Sequence, residues 1–101
     1  MPQFLVLYST PRPTFATDAT RAEQDTIAAH FAYLERACEA GTLILAGRTL
    51  DEPPLGIGVF EAPSENEARA FVEADPAVRN RVFAADVRPY RVALRGRGLV
   101  G

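Results

Sequence analysis

Gln3-Phe4-Leu5-Val6-Leu7-Tyr8-Ser9 is a run of strand-forming residues with apolar side chains on both of its faces. Side chains alternate along an extended chain, so Phe4, Val6 and Tyr8 point one way and Leu5 and Leu7 the other. Pro11 and Pro13 stop the strand. Residues 42–47 and 56–62 repeat the pattern. Leu43 and Leu45 oppose Ile44 and Ala46, and Ile57 and Val59 oppose Phe60 and Ala62. A sheet made of such strands needs cover on both sides.

Helices fill the intervals. Asp18 or Thr20 can cap a helix that runs to Ala40, and Gly41 suits the position just past its end. Ile27, Phe31, Leu34 and Cys38 recur at helical spacing and define an apolar stripe. Ser64-Glu65-Asn66-Glu67 reads as a capping box that opens a second helix to about Asp75, where Pro76 ends it. A short irregular or helical stretch leads to Phe83. Residues 86–94 form a last strand, in which Pro89 predicts an edge or a bulge.

The order is βαββαβ, the ferredoxin-like arrangement: an α+β fold with a four-stranded antiparallel sheet and two helices on one face. One domain over residues 1–94 is expected, with residues 95–101 as a loose tail. Two helices cover one sheet face only. The other is expected to meet a second copy of the chain, giving a homodimer packed sheet to sheet as an α+β barrel. Loops folded over that face are the alternative.

Composition narrows the chemistry. The chain has 101 residues, 48% hydrophobic and 24% charged, which suits one globular domain and excludes disorder throughout. A net charge of −2 argues against a nucleic-acid partner. All 11 basic residues are Arg, so neither a Schiff-base lysine nor a phosphate-loop lysine is available. One Cys excludes an intrachain disulfide, and one His excludes a His-rich metal site. No segment predicts a membrane span or a signal peptide, so the chain is expected in the cytoplasm. Gly56-Ile57-Gly58 lacks the third glycine and the helix of a phosphate loop, and no cofactor is expected.

Two polar residues sit where apolar ones belong. His30 lies about 60° from Ile27 on the helical wheel, on the flank of the stripe. Asp75 falls on the buried side of the second helix, at its C-terminus, where the helix dipole disfavours a negative charge. A buried carboxylate needs a partner, and His30 is within reach if both helices share one sheet face. Such a pair fixes the imidazole tautomer and frees the other nitrogen for acid/base work. Alternatively the His bridges two helices, or Asp75 caps the amides near Pro76.

Three further residues are candidates for holding substrate. Tyr8 ends its strand beside a pocket or belongs to the core. Arg48 and Arg88 stand near strand ends and either grip an anionic substrate or form surface ion pairs. Cys38, read as buried on the stripe, is expected to be inert.

Four stretches resemble the YCII-related domain family, the YciI-like proteins. They are His30-Phe31-Ala32-Tyr33-Leu34, Gly41-Thr42-Leu43-Ile44-Leu45-Ala46-Gly47, Glu73-Ala74-Asp75-Pro76 and Val87-Arg88-Pro89-Tyr90. The resemblance spans Phe4 to about Val92. It implies a dimeric α+β barrel with a His-Asp dyad at His30 and Asp75. It also implies lyase-like elimination on small ring compounds. The expectation is therefore an enzyme of lyase or isomerase type acting on a small cyclic or acidic metabolite; the alternative is a non-catalytic module that binds a small molecule or a protein. Where many relatives carry an Arg three residues before the His, this chain has Ile27. Where some carry a Ser after the third strand's first Gly, it has Ile57.

Overall fold

A computed structural model describes residues 1–99. The elements are β1 (Gln3–Ser9), α1 (Phe15–Asp18), α2 (Arg21–Glu39), β2 (Leu43–Arg48), β3 (Leu55–Glu61), α3 (Glu65–Glu73), α4 (Pro76–Arg79) and β4 (Ala84–Tyr90), followed by a 3-10 turn at Arg97–Leu99. The strands form one antiparallel sheet in the order β2-β3-β1-β4. The fold is the α+β arrangement expected. Residues 100–101, the end of the expected tail, lie outside the described residues.

The two-residue period of β1 decides the layers. Phe4, Val6 and Tyr8 are buried under the helices with Leu34, Phe60, Val72 and Val87. Leu5 and Leu7 face the other way and are half-buried. Gly58 and Gly56 stand opposite Val6 and Tyr8. A Cβ at Gly58 would come within 2.9 Å of Val6 Cγ1, and one at Gly56 within 3.1 Å of Tyr8 Cβ. The pair of glycines that resembled part of a phosphate loop is there to make room.

Several expectations need correction. A β-bulge between Leu43 and Leu45 shifts the register, so Leu43 opposes Phe60 while Leu45 opposes Val59. The extra residue puts Leu43 and Leu45 on opposite faces instead of the same one. The full capping box belongs to α2, where Thr20 and Glu23 each bond the other's backbone amide. At α3 only Ser64 contributes, accepting from Glu67 N–H at 3.2 Å. Asp18 does not cap α2; Arg12 takes it at 2.9 Å and also grips Glu23 with two nitrogens, tying the loop to the helix. β4 starts earlier and stops at Tyr90, because Tyr90 pairs with Gln3 and β1 has no residue beyond it. Just past the strand, Val92 N–H donates to the Gln3 side-chain oxygen at 2.8 Å. Pro89 sits on this edge strand, as expected.

The α2 stripe is divided. Tyr33, Leu34 and Ala37 pack on the core. Phe31 is 64% exposed and the Cys38 thiol is exposed too, so Cys38 is not the buried residue expected. The core-facing side of α2 is rotated from the stripe because Tyr33 is drawn toward α3, its ring against Phe71 and its hydroxyl donating to the Phe71 carbonyl at 2.7 Å. Ile27, Phe31 and Cys38 are left facing a hollow. Among the described residues no helix is long and apolar enough to cross a membrane.

Candidate active site

Asp75 is completely buried and carries the site. It lies past the end of α3 and forms the N-cap of α4, with Pro76 as the first helical residue. Its Oδ1 accepts from Ala77 N–H at 2.9 Å. The dipole expectation is thereby reversed: the carboxylate opens a helix instead of closing one, and the amide it meets is a donor.

His30 reaches the same carboxylate from α2. Its Nδ1 lies 2.9 Å from Oδ1 and 2.7 Å from Oδ2. Capping of α4 and contact with His30, posed as alternatives, therefore occur together. Tyr8 is the third partner; its hydroxyl donates to Oδ2 at 3.3 Å. With three donors the carboxylate is satisfied, which removes most of the cost of burying it.

The imidazole is held on two sides. Tyr8 and Phe83 each meet it edge-on, with ring centroids 5.3 Å away in both cases. Its side chain is 13% exposed. Among the described residues no buried side-chain nitrogen or oxygen lacks a partner, and Nε2 has none, so Nε2 is open to its surroundings. What it faces is a cavity of about 470 Å³, within the range of small-molecule sites. Ile27, Phe31, Leu34 and Cys38 of α2 form one wall; Leu43, Ala46 and Arg48 of β2 form another. Tyr8, Thr10, Pro54, Gly56, Ile57, Phe83 and Glu35 complete the lining. The walls are mainly apolar, with a few polar groups at fixed places.

Of the sequence candidates, His30, Asp75 and Tyr8 come together, and Arg48 joins them at the cavity. Its guanidinium touches only the Thr49 carbonyl, at 3.4 Å, and has no ion-pair partner among the described residues. Arg88 does not reach the site. Alternation along β4 puts it beside Leu5 on the far sheet face, bonded to Asp86 at 2.9 Å. Sequence reasoning took Tyr8 for a pocket or core residue and overlooked its bond to Asp75. The available signal was a hydroxyl among wholly apolar neighbours on the helix side of β1. Phe83 was missed too, because nothing in a lone aromatic at a strand's start marks it for the imidazole. Among the described residues no three His, Cys, Asp or Glu side chains converge as a metal site.

Tyr8 has its ionisation pushed well above the ordinary 10.0, first by burial and then by the Asp75 carboxylate. The sign follows directly. Below that ordinary value the folded and unfolded chains both keep the proton, and the contribution to stability is whole. Above it the unfolded chain loses a proton that folded Tyr8 retains, so stability declines as the pH climbs. Denaturant midpoints measured across this alkaline range should fall with pH, and Tyr8→Phe should flatten the fall.

A family model for the YCII-related domain matches residues 3–91. Among curated proteins none matches. A similar solved structure is that of 5-chloro-2-hydroxyhydroquinone dehydrochlorinase from Burkholderia phenoliruptrix AC1100, in complex with 2,5-dihydroxybenzoquinone. It is 27% identical with a TM-score of 0.65, over 87% of this chain and 93% of that one.

Proposed function

Because this chain belongs to the YCII-related domain family, we propose that it is a small lyase- or isomerase-type enzyme that moves protons on a hydroxylated ring. His30 is the general acid and base, and Asp75 orients it and balances its charge. The observation that carries the reading is the imidazole itself: Nδ1 committed to a buried carboxylate at 2.7 Å, Nε2 open to an apolar cavity. The similar dehydrochlorinase supports a substrate of the hydroquinone class.

The chemistry suits one acid/base group. In loss of hydrogen halide from a halogenated hydroquinone, a ring hydroxyl proton first moves to the carbon that carries the halogen. A second hydroxyl then gives up its proton, its electrons run through the ring to form the quinone, and the halide leaves with its bonding pair. The sum is loss of hydrogen halide, with no other reagent consumed. Nε2 takes and returns the proton, and Arg48, at the cavity wall, steadies a ring oxygen as it becomes anionic. The protein works as a homodimer, its second sheet face covered by another copy.

Full-length protein incubated with chlorinated hydroxyhydroquinones should release chloride and build up quinone absorbance. His30→Ala should reduce the rate by about 10² to 10⁴. Equal release by wild type and His30→Ala would leave a binding module as the better description.

A further inference from the structure

We infer that Tyr8 is a positioning residue of the dyad, sharing Asp75 Oδ2 with His30 and so setting how tightly Nδ1–H is held, and not a group that binds the substrate. The inference rests on the reading of His30 and Asp75 as the acid/base pair.

Tyr8 lines the cavity, and a tyrosine hydroxyl there would ordinarily be assigned to the ligand. Its geometry says otherwise. The ring is buried, with 4% of the residue exposed, and stands edge-on to the imidazole at 5.3 Å. The hydroxyl points away from the ligand space to Asp75 Oδ2. The two carboxylate oxygens are thus treated alike: each lies near Nδ1, and each has one further donor, Ala77 N–H on Oδ1 and Tyr8 on Oδ2. One of those donors is backbone and invariant to side-chain substitution. The other is Tyr8.

A consequence for the dyad follows. Oδ2 shares its negative charge between the Tyr8 hydroxyl and the Nδ1–H of His30. Removing the hydroxyl leaves the oxygen's charge to the imidazole alone, and the Nδ1–H···Oδ2 bond strengthens. A purely structural Tyr8 predicts the reverse, since losing a contact loosens the pair. A substrate-binding Tyr8 predicts a change in KM.

Tyr8→Phe keeps the ring and deletes the hydroxyl. With isotope-labelled histidine the Nδ1–H proton of the one imidazole is read directly in the full chain. The expected result is a shift to lower field in Tyr8→Phe. Turnover is expected to change by a few-fold in kcat with KM held. An unmoved or higher-field resonance, or a raised KM with kcat unchanged, overturns the inference. If Tyr8→Phe does not fold, wild-type chain made with fluorotyrosine decides. Its more acidic hydroxyl is a stronger competitor for Oδ2, so the Nδ1–H signal moves to higher field, and an unmoved signal overturns the inference. The resonance needs no substrate. Loss of the functional reading, through undiminished turnover in His30→Ala, is therefore distinguishable from loss of this one.

Discussion

Asp75→Asn should leave the chain folded and slow its turnover by about 10³ to 10⁴, the scale expected when a catalytic histidine is held in the wrong tautomer. Asn matches Asp in size, and residue 75 is fully buried, so shape is conserved. The hydrogen-bond accounting is not. Ala77 N–H needs an acceptor and will keep the amide oxygen in the Oδ1 place. The amide nitrogen then occupies the Oδ2 place, 2.7 Å from Nδ1. A donor at the shorter of the two Nδ1 contacts favours the tautomer in which that nitrogen accepts and the ring proton sits on Nε2. The nitrogen that should collect a proton from the substrate now carries one. Nitrogen NMR of the single imidazole reports which tautomer is present. If the variant retains the Nδ1–H tautomer or wild-type turnover, Asp75 does not orient the base.

The second large effect concerns assembly. The sheet face away from the helices carries Leu5, Leu7, Leu45 and Val59. Leu7 pairs with Asp86 across β4, and Asp86 is exposed and bonded to Arg88. In a lone chain, Leu7→Arg would place a guanidinium beside Asp86 with water at hand, at small cost. In a sheet-to-sheet dimer it would put that charge in an apolar seam, against the same charge from the other copy. Gel filtration or sedimentation should therefore show wild type as a dimer and Leu7→Arg as a folded monomer. A wild-type monomer would end the sheet-packing argument, and a Leu7→Arg dimer would move the interface elsewhere.

The sheet and both main helices were legible because their signals are local. β1 falls where its alternating residues and flanking prolines put it, at Gln3–Ser9. His30 and Asp75 were legible as misfits, since a polar residue on a buried face needs an explanation and the chain has few. What was hidden depends on how distant segments meet. The β2 bulge reverses Leu45 without any Gly or Pro to announce it. The rotation of α2 that exposes Phe31 and Cys38 comes from Tyr33 bonding a carbonyl 38 residues away. For Arg88 the two readings, substrate grip or surface ion pair, were separated only by the strand's phase, which puts it on the far face with Asp86.

The two glycines of β3 bear on how such a cavity changes its preferences. Gly56 lines the hollow, and on the helix side it offers only bare main chain. The ligand's room is therefore defined partly by an omission. A single methyl there would meet Tyr8 at 3.1 Å, crowding the ring that stands edge-on to His30 and bonds Asp75. The room in the cavity and the alignment of His30 with Asp75 are linked at this one position, so a change that alters the first also disturbs the second. Changes on the α2 wall, at Ile27 or Phe31, escape that linkage, and there the shape of the cavity can vary while the His30–Asp75 pair stays in place.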